Sequence, residues 1–377
     1  MQPAIGIEEE YQLTDPTSGR LVSNCQSVLE RIRERCRPSF ESKIHRELHE
    51  TQIEMASPVC QTLQEAMEFV VTTRAELAEA ARQEGCRLVA AGTNPMAEPD
   101  GETITPTARY EKMAERFAAL ARHLRIFGCH VHIEMPDPEL GLQVMNDTRR
   151  YLPILQALSA NSPYWNGSDT GYASYRREMW VQWPLAGPPP HFASLADYRD
   201  CIAKLIGAGA MSDESKIYWD IRLSAKVPTI EYRVLDTMTR PLVAITLAGL
   251  IRAMVVHAAQ SPSPQRYDDS LLRSAMWQSA RFGLDGQLID PHDHCLRPAW
   301  QVIQGVIDRL EPTIQELGCE SLIRSGLQRL REEGSGAKRQ RQWADDAQDL
   351  SVVPQRLSEE TVMFASTSGS EESCPAR

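Results

Sequence analysis

Apolar and ionisable residues alternate over the opening stretch Ile5-Gly6-Ile7-Glu8-Glu9-Glu10-Tyr11-Gln12-Leu13: Ile5, Ile7, Tyr11 and Leu13 share one face, Glu8 and Glu10 the other. A period of two predicts a β-strand. Carboxylates on an inward face are not buried bare, because an unpaired ion in a low-dielectric site is costly, so cations or water must meet them.

The device recurs four times. Residues 46–55 predict a second strand with Arg46, Glu50, Gln52 and Glu54 on one side, closed by Pro58. Residues 126–134 predict a third, in which His130, His132 and Glu134 share the ionisable face. Residues 218–224 and 229–236, the latter carrying Glu231 and Arg233, predict a pair joined through Lys226-Val227-Pro228. Five such strands imply a curved, largely antiparallel sheet with a wet concave side. Carboxylates are hard donors suited to Mg2+ or Mn2+, imidazoles tolerate either, and Arg222 and Arg233 add planar forks for phosphate or carboxylate oxygens. Together they describe a site for anionic phosphates bridged by a divalent metal.

Helical spacing appears at 62–83, ended by Gly85, and at 108–123 and 138–160, the last bent or split by Pro153. A short strand is expected at 86–92, and 95–107 reads as a loop long enough for an active-site flap. The stretch 161–190 has little periodicity and several aromatics, which suits a loop shaped around a ligand. Helices at 195–211, 239–260, 267–282, 297–317 and 320–331 would back the sheet, and 365–377 reads as a disordered tail. No sharp composition change divides 1–364, so one α+β domain is expected.

Composition narrows the function classes. A net charge of −11 over 377 residues argues against a surface that tracks nucleic acid or an anionic membrane. Nine cysteines, odd in number and without a Cys-x-x-Cys pair, read as reduced thiols in a cytoplasmic protein, and no secretory leader is expected. The apolar run 243–259, interrupted by Arg252 and His257, reads as a buried helix.

Taken singly, each charged pair reads as a solvated strand edge or a core hydrogen-bonder; it is their coincidence that points to a site. Cys129 alternates to the apolar side and is expected in the core. His292 and His294 lie in a polar loop without further ligand spacing. The run Lys338-Arg339-Gln340-Arg341 is a solvated helix face or reaches a nucleotide phosphate. No glycine-rich phosphate cradle occurs, so a bound nucleotide would rely on metal and arginine.

Gly6-Ile7-Glu8-Glu9-Glu10, Gln52-Ile53-Glu54, Gly128-Cys129-His130-Val131-His132, Ser162-Pro163-Tyr164-Trp165 with Asp169-Thr170-Gly171-Tyr172, and Trp219-Asp220-Ile221-Arg222 with Pro228-Thr229-Ile230-Glu231-Tyr232-Arg233 resemble the type 2 glutamate–cysteine ligases, or YbdK-type carboxylate-amine ligases. The likeness extends through Arg281-Phe282-Gly283-Leu284-Asp285-Gly286 to the segment 336–341. The resemblance implies a glutamine synthetase-like fold, a curved antiparallel sheet forming a funnel with helices on its outer face. It implies Mg2+- or Mn2+-dependent use of ATP to join the side-chain carboxylate of glutamate to an amine such as cysteine, in a cytoplasmic homodimer. By the same resemblance Glu8, Glu10, Glu54, His130 and Glu231 are the metal ligands, and Arg233 faces the phosphates. Arg222, Asp169 and Tyr172 then contact ATP or substrate, and Arg233, Glu231 and His132 form the catalytic set. His132, Glu50 and Asp169 are alternative proton acceptors for the amine. The rival readings are a metal-dependent phosphohydrolase and a non-catalytic nucleotide-binding relative.

Overall fold

A computed structural model describes residues 2–35, 38–96, 103–262 and 265–363. Among them lie eleven strands: β1 (Ile5–Thr14), β2 (Ile44–Arg46), β3 (Gln52–Ala56), β4 (Arg87–Val89), β5 (Gly128–Glu134), β6 (Tyr164–Trp165), β7 (Ser168–Asp169), β8 (Ile221–Leu223), β9 (Thr229–Asp236), β10 (Gln287–Ile289) and β11 (Leu296–Pro298). Seven form one sheet in the order β2-β3-β1-β5-β9-β8, with β4 also pairing β1. Every pairing is antiparallel, as the alternation predicts. Residues 97–102 of the expected flap and the whole tail 365–377 lie outside the described residues.

One face of the sheet is the core. Ile5, Ile7, Tyr11 and Leu13 of β1 pack with Ile53, Cys129, Val131, Ile230 and Tyr232 of the neighbouring strands, all buried in one cluster. Helices cover this face. The helix Pro241–Gln260 is long and apolar enough to cross a membrane, with hydropathy 2.0, but 83% of that window is buried inside the protein. Its polar face is missing because it has packing partners on all sides.

The same alternation puts Glu9 on the apolar face, between the two carboxylates that look the other way. It is fully buried and is met by Arg74 of the helix Leu63–Gln83, Nη2 to Oε1 at 2.6 Å and Nε to Oε2 at 3.0 Å. Arg74 also donates to the Met238 carbonyl at 2.9 Å, tying the back of β1 to the chain leaving β9.

Several elements differ from the expectation. Residues 46–55 are not one strand: β2 stops at Arg46, the Gln52 N–H bonds back to the His49 carbonyl at 3.0 Å, and β3 starts there. His45 therefore registers with Glu54, Glu50 is buried in the β2–β3 connection, and Gln52, on the same face of β3 as Glu54, is buried and donates to the Ile126 carbonyl at 3.0 Å. The helix expected at 108–123 breaks at Ala118, whose φ is +48°. The one expected at 138–160 splits into Pro138–Thr148, a 3-10 turn and Leu152–Ser159. Pro153 sits in the first turn of the last piece, where its missing N–H leaves no bond unmade. The helices Cys25–Arg35 and Val352–Thr361 were not anticipated, and 161–190 holds the β6–β7 hairpin and a six-residue helix, Tyr175–Trp180.

Candidate functional site

Register gathers the ionisable residues. Glu10 pairs with Glu54 across β1 and β3, Glu8 with His130 across β1 and β5, His132 with Glu231 across β5 and β9, and Glu231 with Arg222 across β9 and β8. Directly opposed residues bring their side chains within contact. Glu8, Glu10, Glu54, His130, His132, Arg222, Glu231 and Arg233 all line one cavity of about 950 Å3, on the face of the sheet opposite the core.

A bulge aims the arginine. Cys129 registers with Leu235 and Val131 with Tyr232, so His130 faces two residues of β9, Arg233 and Val234. The extra residue lets Glu231 and Arg233 face the cavity while Leu235 returns to the core.

Glu8 is the hub. Its Oε2 lies 2.9 Å from His130 Nδ1 and its Oε1 lies 3.4 Å from His132 Nε2. Two sets of potential ligands share it: Glu8, Glu54 and His130, and Glu8, His132 and Glu231, each with donor atoms within 4.8 Å of one another. His132 Nδ1 is held by Thr229 Oγ1 at 2.9 Å, while its buried Nε2 has no hydrogen-bond partner. That orphaned nitrogen, facing a carboxylate and oriented from behind, together with an oxygen-rich donor set, fits a divalent cation.

The charges are unbalanced in the same sense. Burial, then Glu47, Glu8 and Glu10, push the Glu54 carboxyl well above the usual carboxylate range. Burial and Glu47 raise Glu10 to about 7. Glu8 and Glu231 behave oppositely: burial would raise both, but the hydrogen bond of His130 and the close approach of the His132 ring hold Glu8 well below the usual carboxylate range, and the charges of Arg233 and Arg222 do the same for Glu231. Burial and nearby Arg233 lower His130 to about 4, so it is neutral. As the Nδ1–H donor to Glu8, it keeps a free lone pair on Nε2.

Some expected residues are held by other protein groups or lie outside the main cavity. Arg222 spends its fork on Glu231, Nε to Oε2 at 2.8 Å and Nη2 to Oε1 at 3.1 Å, and its Nη1 on the Ile217 carbonyl at 2.7 Å. It orients Glu231. Glu10, outside both ligand sets, accepts from the Gly128 N–H at 2.6 Å. Asp169 and Tyr172 do not line the 950 Å3 cavity. Asp169 is paired with Arg341 at 2.7 Å in the wall of a separate cavity of about 440 Å3, and Tyr172 adjoins it through its carbonyl bond to Arg341. Of the three proton-acceptor candidates only His132 faces the main cavity, because Glu50 turns inward at the β2–β3 connection. Glu134 is an exposed strand end whose Oε2 accepts from the Ala4 N–H at 3.0 Å.

Sequence reasoning missed Glu47, which lines the cavity and accepts from the Tyr110 hydroxyl at 2.8 Å. A single strand over 46–55 puts Glu47 opposite Glu54; the hairpin reverses that. Trp180, expected in an irregular ligand-shaped loop, lines the cavity from the six-residue helix, which also carries Arg176.

The comparisons agree with this geometry. The model of the family "Glutamate-cysteine ligase family 2 (GCS2)" matches residues 4–360. A protein of Rhodopirellula baltica, provisionally named glutamate–cysteine ligase 2, is 46% identical over 368 residues, covering 96% of this chain and 98% of its own. Among solved structures, the glutamate–cysteine ligase of Francisella tularensis in complex with AMP aligns with TM-score 0.71 at 13% identity, over 97% of this chain and 90% of that one. The bifunctional glutathione synthetase of Pasteurella multocida aligns with TM-score 0.72 at 14% identity, over 96% of this chain and 52% of that one. The fold is thus the α+β, glutamine synthetase-like one that the alternating strands and the resemblance led us to expect. With a family match over nearly its whole length and a relative 46% identical over 96% of the chain, the chain belongs to glutamate–cysteine ligase family 2.

Proposed function

We propose that this protein is an ATP-dependent carboxylate–amine ligase that activates the side-chain carboxylate of glutamate and joins it to an amine, cysteine being the acceptor suggested by the names of its relatives. The observation that carries the reading is the pair of ligand sets sharing Glu8, set beside Arg233 in one large cavity.

A carboxylate does not form an amide at neutral pH because its oxygen is a poor leaving group. Transfer of the γ-phosphoryl group of ATP to the carboxylate gives an acyl phosphate, which the amine attacks with release of phosphate. No side-chain nucleophile is required, so the demand on the protein is alignment and charge neutralisation. Glu8, Glu54 and His130, with Glu8, His132 and Glu231, would hold Mg2+ or Mn2+, which when bound offsets the negative charge of the phosphates. Arg233 directs a permanently charged fork at the same space. Arg222 keeps Glu231 ionised and oriented, and Thr229 fixes the His132 ring so that Nε2 faces Glu8. Arg109 and Lys216, which also line the cavity, supply positive charge on the wall for anionic substrates. Such a reaction on free metabolites fits a cytoplasmic enzyme.

The test is ADP release with Mg-ATP, glutamate and a panel of amines, with mass analysis of the products. A ligase releases ADP only when carboxylate and amine are both present, and yields their amide. Release at the same rate without an acceptor would identify a phosphohydrolase. Binding of Mg-ATP with no release for any acceptor would identify a non-catalytic relative.

A further inference from the structure

Arg233 has surprisingly little to hold it. Among the described residues its guanidinium is hydrogen-bonded by Nη1 to Glu231, and its buried Nε has no partner. The carboxylates of Glu8, Glu10 and Glu54 line the same cavity and attract the group without fixing its plane. An aromatic face supplies the missing constraint: the Arg233 guanidinium carbon lies 5.8 Å from the centroid of the Trp180 ring.

The same ring serves a second cation. Arg176, four residues earlier on the helix Tyr175–Trp180, has its guanidinium 5.9 Å from the Trp180 centroid. Four-residue spacing puts both side chains on one face of that helix. Arg176 is 3% exposed and points under the β9 bulge, with long contacts of 3.4 Å to the carbonyls of Arg233 and Val234. It fits there because Gly128 has no side chain: a Cβ at that position would stand 2.4 Å from Arg176 Nη2. Trp180 is itself braced edge-on by Tyr218, with centroids 5.8 Å apart and planes at 89°.

We propose that Trp180 is a positioning residue for Arg233: its indole sets the plane of the guanidinium that meets the transferring phosphoryl group, and Arg176 secures the indole and the bulged backbone beneath it. The inference rests on the ligase reading for what Arg233 meets, and on geometry alone for what holds Arg233. A cation over an aromatic face is attracted in an orientation-dependent way, most strongly by indole, and the attraction grows in a site shielded from water.

The experiment is a double-mutant cycle of Trp180→Leu and Arg233→Gln in the full chain, read in turnover and in MgADP affinity by calorimetry. Trp180→Leu is expected to lower kcat about tenfold with a smaller change in the KM for ATP, and Trp180→Phe to lose less, about threefold. In the Arg233→Gln background, Trp180→Leu is expected to change MgADP affinity, and any remaining turnover, by less than about twofold, because the cation it positioned has gone. A merely structural tryptophan would cost the same factor in both backgrounds; that outcome, or wild-type behaviour of Trp180→Leu, overturns the proposal. If Trp180→Leu does not fold, Trp180→Phe enters the same cycle, with an expected loss of about threefold confined to the Arg233 background. If the wild type shows no acceptor-dependent turnover, the ligase reading falls, and the MgADP affinities of the four proteins still decide the inference by the same non-additivity.

Discussion

Arg222 meets Glu231 with both sides of its fork, at 2.8 and 3.1 Å, across the β8–β9 pair. A group that orients a metal-binding carboxylate contributes to metal affinity without touching the ion. Arg222→Lys keeps the charge but loses the two-pronged contact. We expect it to raise the Mg2+ concentration needed for half-maximal turnover, or lower the activity, by about 10- to 100-fold. A Mg2+ titration of the assay measures this, and a lysine variant equal to wild type would deny Arg222 the role.

Glu8 belongs to both ligand sets and Glu54 to one. Mn2+ binding followed by electron paramagnetic resonance should therefore distinguish the two glutamine variants. Glu54→Gln should weaken one site and spare the other, whereas Glu8→Gln should weaken both. Equal effects of the two substitutions would contradict the shared-ligand arrangement.

The ionisable face was legible because a strand alternates with period two, and Glu8, Glu10, Glu54, His130, His132, Glu231 and Arg233 all follow that rule locally. What alternation does not reveal is where a strand stops or slips. The turn before Gln52 moved Glu47 onto the site and took Glu50 off it. The bulge opposite His130, which returns Leu235 to the core after Arg233, is one inserted residue with no signature of its own. Arg176 and Trp180 stand on a helix of six residues, too short for its periodicity to emerge from the surrounding turn-rich segment. Asp169 was singled out with a ligand-shaped loop, but that loop folds against Arg341, far along the chain, and such a pairing is set by tertiary packing alone.

Behind the site, the fully buried Glu9–Arg74 pair predicts a stability effect. Removing one partner leaves an uncompensated charge in the core, which costs about 3–5 kcal/mol. Arg74→Met should accordingly lower the midpoint of thermal unfolding by several degrees. A change within the range of an exposed-surface substitution would show that the pair is not closed off from water.

His49 predicts a dependence of stability on pH. It is 1% exposed, and burial, then the charge of Arg125, lowers it from 6.5 to about 4. Between those values the unfolded chain binds the proton that the folded protein excludes, so the stabilisation present above about pH 6.5 is lost as pH falls toward 4 and changes no further below it. The span corresponds to a contribution on the order of 3 kcal/mol. Urea unfolding at a series of pH values, comparing wild type with His49→Gln, isolates it: the variant should lack this part of the acid slope. Parallel curves would assign the slope to other groups.

Glu8 and Arg233 are the groups through which the cavity would couple ATP consumption to amide formation. The direct measurement is ADP release from Mg-ATP by wild type, Glu8→Gln and Arg233→Ala, each with and without glutamate and an amine. Release by the wild type only when both are present, with the amide identified by mass and release abolished in both folded variants, is the predicted result. Undiminished acceptor-dependent release by either folded variant would place the chemistry elsewhere and contradict it.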